Sequence, residues 1–532
     1  MKTDITENII NRKKKVLENI NTIIKDNENQ KALKIIPKFD YIKEASNIIL
    51  KYIKDNERKI YGGLAINESI KRKDKNLAIY DETQTIPDYD FYSPEPIKDI
   101  VLICQLLHEK GYKNIQCREA QHANTYKLKI ERYEKELADI SYVWAPYYNM
   151  IPTYIVNNIH YVRPDYQIID MYRAFTNPLF GWYKIDKYYE RASLLENLYF
   201  LDSEISDYKK NFNTLDLLYT KNNITNLTNI SKNKQNKLKN IKYKLKNEEI
   251  QQEHKLVLNI LNAIEKNFLK NNKNIIIVGD YAYNTLINIS NIPNKKERNI
   301  SVLNYEIITL NITEFNKELM KFFSQLNINK KINRIFIYPF LEFYDKSYLY
   351  TYNSIPLIRV YQTDICYPYN TIKKYNIGSY HLIMQFLYAK KFRNTVLSNT
   401  NFYYKYKYMI VNLSYAREYY YYNNNKNGIE ESPFQELIIN CMGTDFIPPY
   451  NEYAEKSKKG QLFNYIPKDN YDLEKITSNY TYPNRSGNPE VTSKDININK
   501  LLKYYPEFKK ETDFKKLISR NIVAYKLARD IK

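Results

Sequence analysis

A glycine pair followed by two alternating acids constrains this chain more than any other feature. Tyr61-Gly62-Gly63-Leu64-Ala65-Ile66-Asn67 precedes Asp88-Tyr89-Asp90-Phe91-Tyr92-Ser93. Glycine reaches backbone conformations closed to other residues, so a glycine pair opening a helix lets N–H groups approach an anion closely. Alternate residues of a strand share a face. A strand over Ile86–Tyr92 therefore puts Asp88 and Asp90 on one side and turns Tyr89 and Phe91 to the core. Two carboxylates so close repel each other unless a cation lies between them, and Mg²⁺ takes such hard oxygen ligands. Asp139, in the apolar strand pattern Leu137–Val143, is the best third carboxylate, because a lone acid in such a strand needs a partner or a metal. Three acids can hold two ions, one activating an attacking hydroxyl and one steadying a triphosphate. An isolated D-x-D usually marks exposed hairpin acids; joined to a glycine turn and a downstream strand acid it is far more specific.

Other residues stand near this pattern. Lys127 and Lys129 share one face of a strand expected over Tyr126–Arg132 and are candidates for triphosphate contact. Asn67, one turn into the helix, is a nucleotide-binding candidate whose alternative role is to buttress the glycine turn. Arg163 and Arg173 are candidates for phosphate or RNA, with an intrahelical Asp170–Arg173 pair as the alternative. The five histidines, His108, His122, His160, His254 and His381, show no metal-ligand spacing and read as structural. With 10 glycines in all, the chain contains neither G-x-x-x-x-G-K-[ST] nor G-x-G-x-x-G.

The charge points to a polyanion. Lys and Arg number 81 against 60 Asp and Glu, a formal net charge of +21, and nucleic acid is the commonest partner of so basic a protein. A codon bias toward A and T accounts for much of the Lys, Asn, Ile and Tyr, but less well for the excess of Lys over acids. The 55 tyrosines are mostly structural, though a few can stack on unpaired bases. The cysteines Cys104, Cys117, Cys366 and Cys441 form no C-x-x-C pair, so neither a zinc site nor a disulfide framework is expected, and a reducing compartment fits. The polar start Met1-Lys2-Thr3-Asp4 carries no signal peptide, and no apolar run is long enough to span a membrane.

Along the chain, 532 residues leave room for two or three cores. Residues 1–55 read as an N-terminal helical segment, with Ile9, Ile10, Val16, Ile20 and Ile23 at helical spacing and a helix over Tyr41–Ile53. A catalytic domain is placed at 56–190, with a helix at Ile97–Lys110 and mostly helix after residue 160. A helical and basic connecting segment follows at 191–260, a second domain at 261–400, and a loop-rich and helical region at 401–532. Val278-Gly279-Asp280-Tyr281-Ala282-Tyr283-Asn284 repeats the spacing of Gly, Ala and Asn found in Tyr61–Asn67. Asn304-Tyr305-Glu306 then parallels Asp88-Tyr89-Asp90, a helix pattern at Ile312–Leu326 parallels Ile97–Lys110, and Tyr375–Tyr388 parallels Tyr161–Arg173. In the second copy the first acid is gone, which makes it a structural echo.

The pattern of apolar-G-[GS], D-x-D and a third strand Asp resembles the DNA polymerase β-type nucleotidyltransferase superfamily. More narrowly, G-G-x-A-x-N with I-P-D-Y-D-F-Y-S resembles the catalytic poly(A) polymerase subunit of large cytoplasmic DNA viruses, of poxvirus and giant amoebal virus type. The motifs span about residues 55–145, and segment order extends the likeness to about 400. The resemblance implies an α+β fold: a polymerase β-like nucleotidyltransferase domain, a second degenerate nucleotidyltransferase-like domain, and helical N- and C-terminal segments. It implies that Asp88, Asp90 and Asp139 ligate two Mg²⁺ or Mn²⁺ ions. Gly62 and Gly63 then meet the phosphates of ATP, and the product is AMP added to a single-stranded RNA 3′ end without a template. Cellular relatives carry Ser at the second glycine position, so Gly63 leaves the phosphates to backbone contacts. The family implies a homodimer or a processivity partner subunit, and residence in the host cytoplasm (the viral factory) and the virion. The basic segments Lys232–Lys246 and Ile496–Lys532 are candidates for a second RNA grip. Two other classes fit parts of the pattern. A metal-dependent glycosyltransferase explains D-x-D but not the glycines, the third Asp or the charge. A non-catalytic basic RNA-binding scaffold explains the charge alone.

Overall fold

A computed structural model describes part of residues 11–27, and residues 39–201 and 255–480 apart from short internal gaps. The segments 221–247 and 496–532, with His122 and His254, lie outside the described residues. The described residues divide into two compact units: those up to 148 with 153–162 and 449–480, and 149–152 with 163–448.

The first unit holds strands β1 (Lys59–Ile60), β2 (Tyr89–Ser93), β3 (Gln116–Glu119), β4 (Thr125–Lys129), β5 (Ala138–Tyr142), β6 (Thr153–Val156) and β7 (Ile159–Val162). The second holds β8 (Ile275–Val278), β9 (Tyr305–Thr309), β10 (Ile332–Ile337), β11 (Ser347–Tyr352), β12 (Ile355–Gln362), β13 (Tyr367–Ile372), β14 (Tyr375–Gly378) and β15 (Cys441–Met442). A short β16 (Asn464–Tyr465) returns to the β3 edge of the first sheet. The first sheet runs β16-β3-β4-β5-β2-β1-β7-β6 and the second β10-β11-β12-β9-β8-β14-β13-β15. From β3 to β6 and from β10 to β13 the two orders correspond strand for strand. The senses agree as well: β2/β5 and β1/β7 are parallel, as are β9/β12 and β8/β14, while the other pairs along both runs are antiparallel. The repeat read in the sequence is thus a repeat of topology.

In the second sheet every residue of the central strands β8 and β9 is buried, so both faces are covered there. In the first unit Phe39–Asp55 and Pro96–Glu109 turn Ile49, Ile53, Ile97, Ile100, Val101 and Leu107 onto Phe91, Leu128 and Ile140 of β2, β4 and β5. Alternation in β2 buries Tyr89 and Phe91 there and leaves Asp90 and Tyr92 on the other face. At about 25 cal/mol per Å² of apolar surface, burying one such aromatic contributes roughly 2–3 kcal/mol before chain entropy is subtracted.

The expected helices over Tyr41–Ile53, Ile97–Lys110 and Ile312–Leu326 lie within a residue or two of Phe39–Asp55, Pro96–Glu109 and Ile312–Gln325. Three expectations change. The region after residue 160 opens with β7 before its helices Pro164–Thr176 and Ile185–Leu195. Pro-, Asn- and Ser-rich loops are expected over 447–489; in the described part, 448–480, helices Pro448–Lys458 and Leu473–Ser478 flank β16, the first starting on prolines that suit a helix N-terminus. Disulfides join Cys104 to Cys117 and Cys366 to Cys441, where no framework was expected. The pairing is tertiary, since the first links the helix Pro96–Glu109 to β3. Among the described residues no helix is long and apolar enough to cross a membrane.

Candidate active site

The site begins where β1 gives way to the helix Gly62–Lys73. Gly62 has φ +67°, and a Cβ there would lie 2.6 Å from Asp90 Oδ2. Backbone conformation and close approach therefore both demand glycine. Tyr61 N–H donates to the Asp90 carbonyl at 2.9 Å, which ties the turn to β2. The helix start has no side-chain cap and no acid in its first turn, so nothing there offsets the positive end of the helix dipole.

Asp88 sits just before β2 rather than within it, and Asp90 is two residues on. Parallel pairing sets Asp90 beside Asp139 of β5, and antiparallel pairing sets Asp139 beside Lys127 of β4. The row Asp90–Asp139–Lys127 crosses three adjacent strands on one face. Lys127 Nζ lies 3.1 Å from Asp139 Oδ2 and 3.6 Å from Glu136 Oε1. Burial, then the charges of Asp90 and Asp139, push Asp88 up to about 8. Burial works against the Lys127 charge, but Asp139, Glu136 and Asp88 together hold it above its ordinary value. The acids thus carry more negative charge than one lysine balances.

Around this row the face changes character. Tyr61 and Tyr92 stack with ring centroids 3.9 Å apart, and the hydroxyls of Tyr61 and Ser141 are 2.8 Å apart. Toward β3, Arg118 Nη2 lies 3.6 Å from Glu136. Lys129 shares the Lys127 face and lowers the Glu136 pKa along with Lys127 and Arg118, against its burial. Glu136 was not singled out in the sequence, where it stands among Glu131, Glu134 and Lys135 as one more charge; only strand pairing gives it a place. Asn67 is fully buried, and its Oδ1 accepts the N–H groups of Ile79 at 2.8 Å and Tyr80 at 3.1 Å. Its counterpart Asn284 accepts from Ile300 N–H at 2.9 Å in the same way. A bond kept where two of the three acids are replaced argues for holding the loop. Arg173 pairs with Asp170 at 3.2 Å within its helix and Arg163 with Asp165 at 2.9 Å, both in the second unit.

The second unit repeats the frame with different charges. Gly279 has φ +69°, and a Cβ there would lie 2.6 Å from Glu306 Oε1, so Glu306 takes the place of Asp90. Arg359 stands beside Glu306 in the register where Asp139 stands beside Asp90, and Asn304 replaces Asp88. Lys390 pairs with Glu306, the Tyr361 hydroxyl donates to it at 2.8 Å, and Lys405 Nζ meets Asp280 Oδ2 at 2.7 Å. Burial would raise Glu306, but Lys390 and Arg359 hold it below the usual carboxylate range. One unit gathers acids that await a cation; the other has built its cations in.

The first donor set suits a divalent ion: carboxylate oxygens, one of them on an acid that resists ionising without a counter-charge, beside a glycine where any side chain would press on Asp90. Among the described residues no three acidic, His or Cys side chains already enclose a single point; Asp139 is turned to Lys127.

Comparison with known proteins gives a consistent set of relatives. Residues 47–181 match the family "Poly(A) polymerase catalytic subunit". Residues 235–504, just over half the chain, match the family "APMV, Putative poly(A) polymerase, catalytic subunit, C-terminal". A "Putative poly(A) polymerase catalytic subunit" of Acanthamoeba polyphaga mimivirus is 29% identical over 525 residues, covering 90% of this chain and 82% of the relative. One of the same description from African swine fever virus (strain Badajoz 1971 Vero-adapted) is 30% identical over 166 residues, 30% of this chain and 34% of that one. The crystal structure of the Megavirus polyadenylate synthase superposes with a TM-score of 0.70 at 25% identity, covering 91% of this chain and 93% of that one.

Proposed function

The chain belongs to the viral poly(A) polymerase catalytic-subunit family, and from that premise we propose that its one working site is the acidic face of the first unit. It is a polynucleotide adenylyltransferase, an enzyme class that uses ATP and divalent metal. The glycosyltransferase reading of D-x-D and the scaffold reading of the charge give way to this membership. The observation that carries the site assignment is the row Asp90–Asp139 with Asp88 beside it, set against an uncapped helix start.

On this reading Asp88, Asp90 and Asp139 hold two Mg²⁺ or Mn²⁺ ions, which when bound supply positive charge for the reacting oxygens. Gly62 and Gly63 keep side chains out of the space over the helix start, so backbone N–H groups reach the polyphosphate of ATP. Lys127, paired with Asp139 at 3.1 Å, would be left to reach the triphosphate where Asp139 held an ion, and Lys129 and Arg118 would extend the basic rim toward it. The RNA 3′-oxygen attacks the α-phosphorus in line; the new O–P bond forms as the bond to pyrophosphate breaks. The hydroxyl proton passes to the ionised acid cluster or to water. The single-stranded RNA end, the pairing into a homodimer or with a processivity subunit, and work in the host cytoplasm and virion complete the reading.

Extension of one RNA oligonucleotide with each nucleoside triphosphate in turn tests it. A ladder with ATP and Mg²⁺ or Mn²⁺ is expected, lost in Asp88→Ala and in Asp90→Ala with folding unchanged. Full activity in Asp88→Ala would move the site elsewhere.

A further inference from the structure

Gly63 is the second residue of the helix Gly62–Lys73, and it faces Tyr80. A Cβ built on Gly63 would lie 2.7 Å from the Tyr80 hydroxyl, 3.0 Å from its Cε2 and 3.2 Å from its Cζ. The hydroxyl fills the space where a side chain at position 63 would begin. Buried Asn67 accepts the N–H groups of Ile79 and Tyr80 and so holds the backbone from which the ring projects. Across the same turn, Gly62 lies against Asp90. The helix start between them has no side-chain cap and no acid in its first turn. It is flanked by a carboxylate on one side and a neutral hydroxyl donor on the other. In the second unit the residue at the position of Gly63 is Asp280, bound by Lys405 at 2.7 Å. An acid with its own counter-ion at the helix start is the opposite of an anion site.

We propose that Tyr80 is a nucleotide-binding residue whose hydroxyl, at the place where a side chain on Gly63 would begin, donates to the polyphosphate of bound ATP. The inference rests on the site assignment made under Proposed function. Steady-state RNA extension, varying ATP and RNA separately, tests it. Tyr80→Phe should raise the KM for ATP about tenfold, the size of one hydrogen bond to a charged group. The KM for RNA and the melting temperature should stay as they were. Gly63→Ser alone should impair the enzyme, because its Cβ meets the Tyr80 ring. The double variant Gly63→Ser/Tyr80→Ala has room for the serine hydroxyl and should bind ATP better than Gly63→Ser or Tyr80→Ala alone, a reversal that a merely structural tyrosine would not produce. An unchanged KM for ATP in Tyr80→Phe would overturn the inference and leave the site assignment standing. So would a folded double variant no better than Tyr80→Ala. A starting protein that extends no RNA with ATP would overturn both.

Discussion

Asp88 and Glu306, two positions apart in the repeated frame, show how the two units give opposite chemistry. Asp88, crowded by Asp90 and Asp139, is pushed up to about 8; Glu306, in contact with Lys390 and close to Arg359, is held down. Neither difference lies in the acids themselves. Burial raises both; for Asp88 the charges of Asp90 and then Asp139 add to it, and for Glu306 Lys390 and then Arg359 outweigh it. Gly62 is the other residue on which the site turns. In Gly62→Ala a methyl group enters a left-handed backbone position and presses on Asp90 Oδ2. The backbone term alone costs about 1–2 kcal/mol, a melting-temperature drop of a few degrees. RNA extension should fall far more than stability does, because the displaced group is the carboxylate itself. A variant with full extension and a lowered melting temperature would show that the turn matters only for folding.

At the scale of elements, a buried polar junction in the second unit links the helices Tyr380–Val396 and Thr400–Asn424 to the segment that follows them. His381 Nε2 lies 3.0 Å from Glu436 Oε2, and Arg417 Nη1 donates to Glu436 Oε1 at 3.1 Å. Burial alone would raise Glu436, but His381 and then Arg417 outweigh it and bring it to about 2. Its ordinary value is 4.5. A carboxylate depressed in the fold contributes stability that is complete above its unfolded pKa and is lost as pH falls through its folded one. The window is therefore pH 4.5 down to about 2, and the contribution is about 3 kcal/mol. Glu436→Gln should lower the melting temperature at pH 7 and flatten its fall across that window; an acid profile identical to that of the starting protein would contradict the linkage. The helices Phe39–Asp55, Pro96–Glu109 and Ile312–Gln325 were legible because their apolar residues recur at helical spacing over several turns; Tyr380–Val396 and Thr400–Asn424, with no single apolar face, were not. Nor were strands β3, β7 and β10. They are short, and their alternation is blurred by a tyrosine-rich alphabet in which core and surface residues look alike. Asp88 was read as a strand residue although β2 starts at Tyr89, a boundary that depends on pairing with β5 rather than on local sequence.

The whole molecule is one fold used twice. Residues could announce this because Gly62 and Gly279 meet the same steric demand, and Asn67 and Asn284 tie down the same loop. They could not announce the cations that close the second copy. Lys390 and Lys405 lie far along the chain from Glu306 and Asp280, on helices whose apolar faces conceal them. Arg359 reaches its place only through the β9/β12 register. Replacing the buried pair together, as Glu306→Gln/Lys390→Met, removes two opposed charges at once and should cost far less stability than removing either alone. Leaving one buried charge unpaired typically costs about 3–5 kcal/mol. A double variant no more stable than the weaker single one would mean that the pair does not act as a unit. The site assignment itself is tested most directly by the rate of AMP incorporation from ATP into one RNA oligonucleotide, measured side by side for Asp90→Ala and Glu306→Gln/Lys390→Met. The expected result is no tail from the first and near-starting rates from the second, both proteins folded. Tail synthesis by Asp90→Ala, or its loss in a folded Glu306→Gln/Lys390→Met, would contradict the assignment.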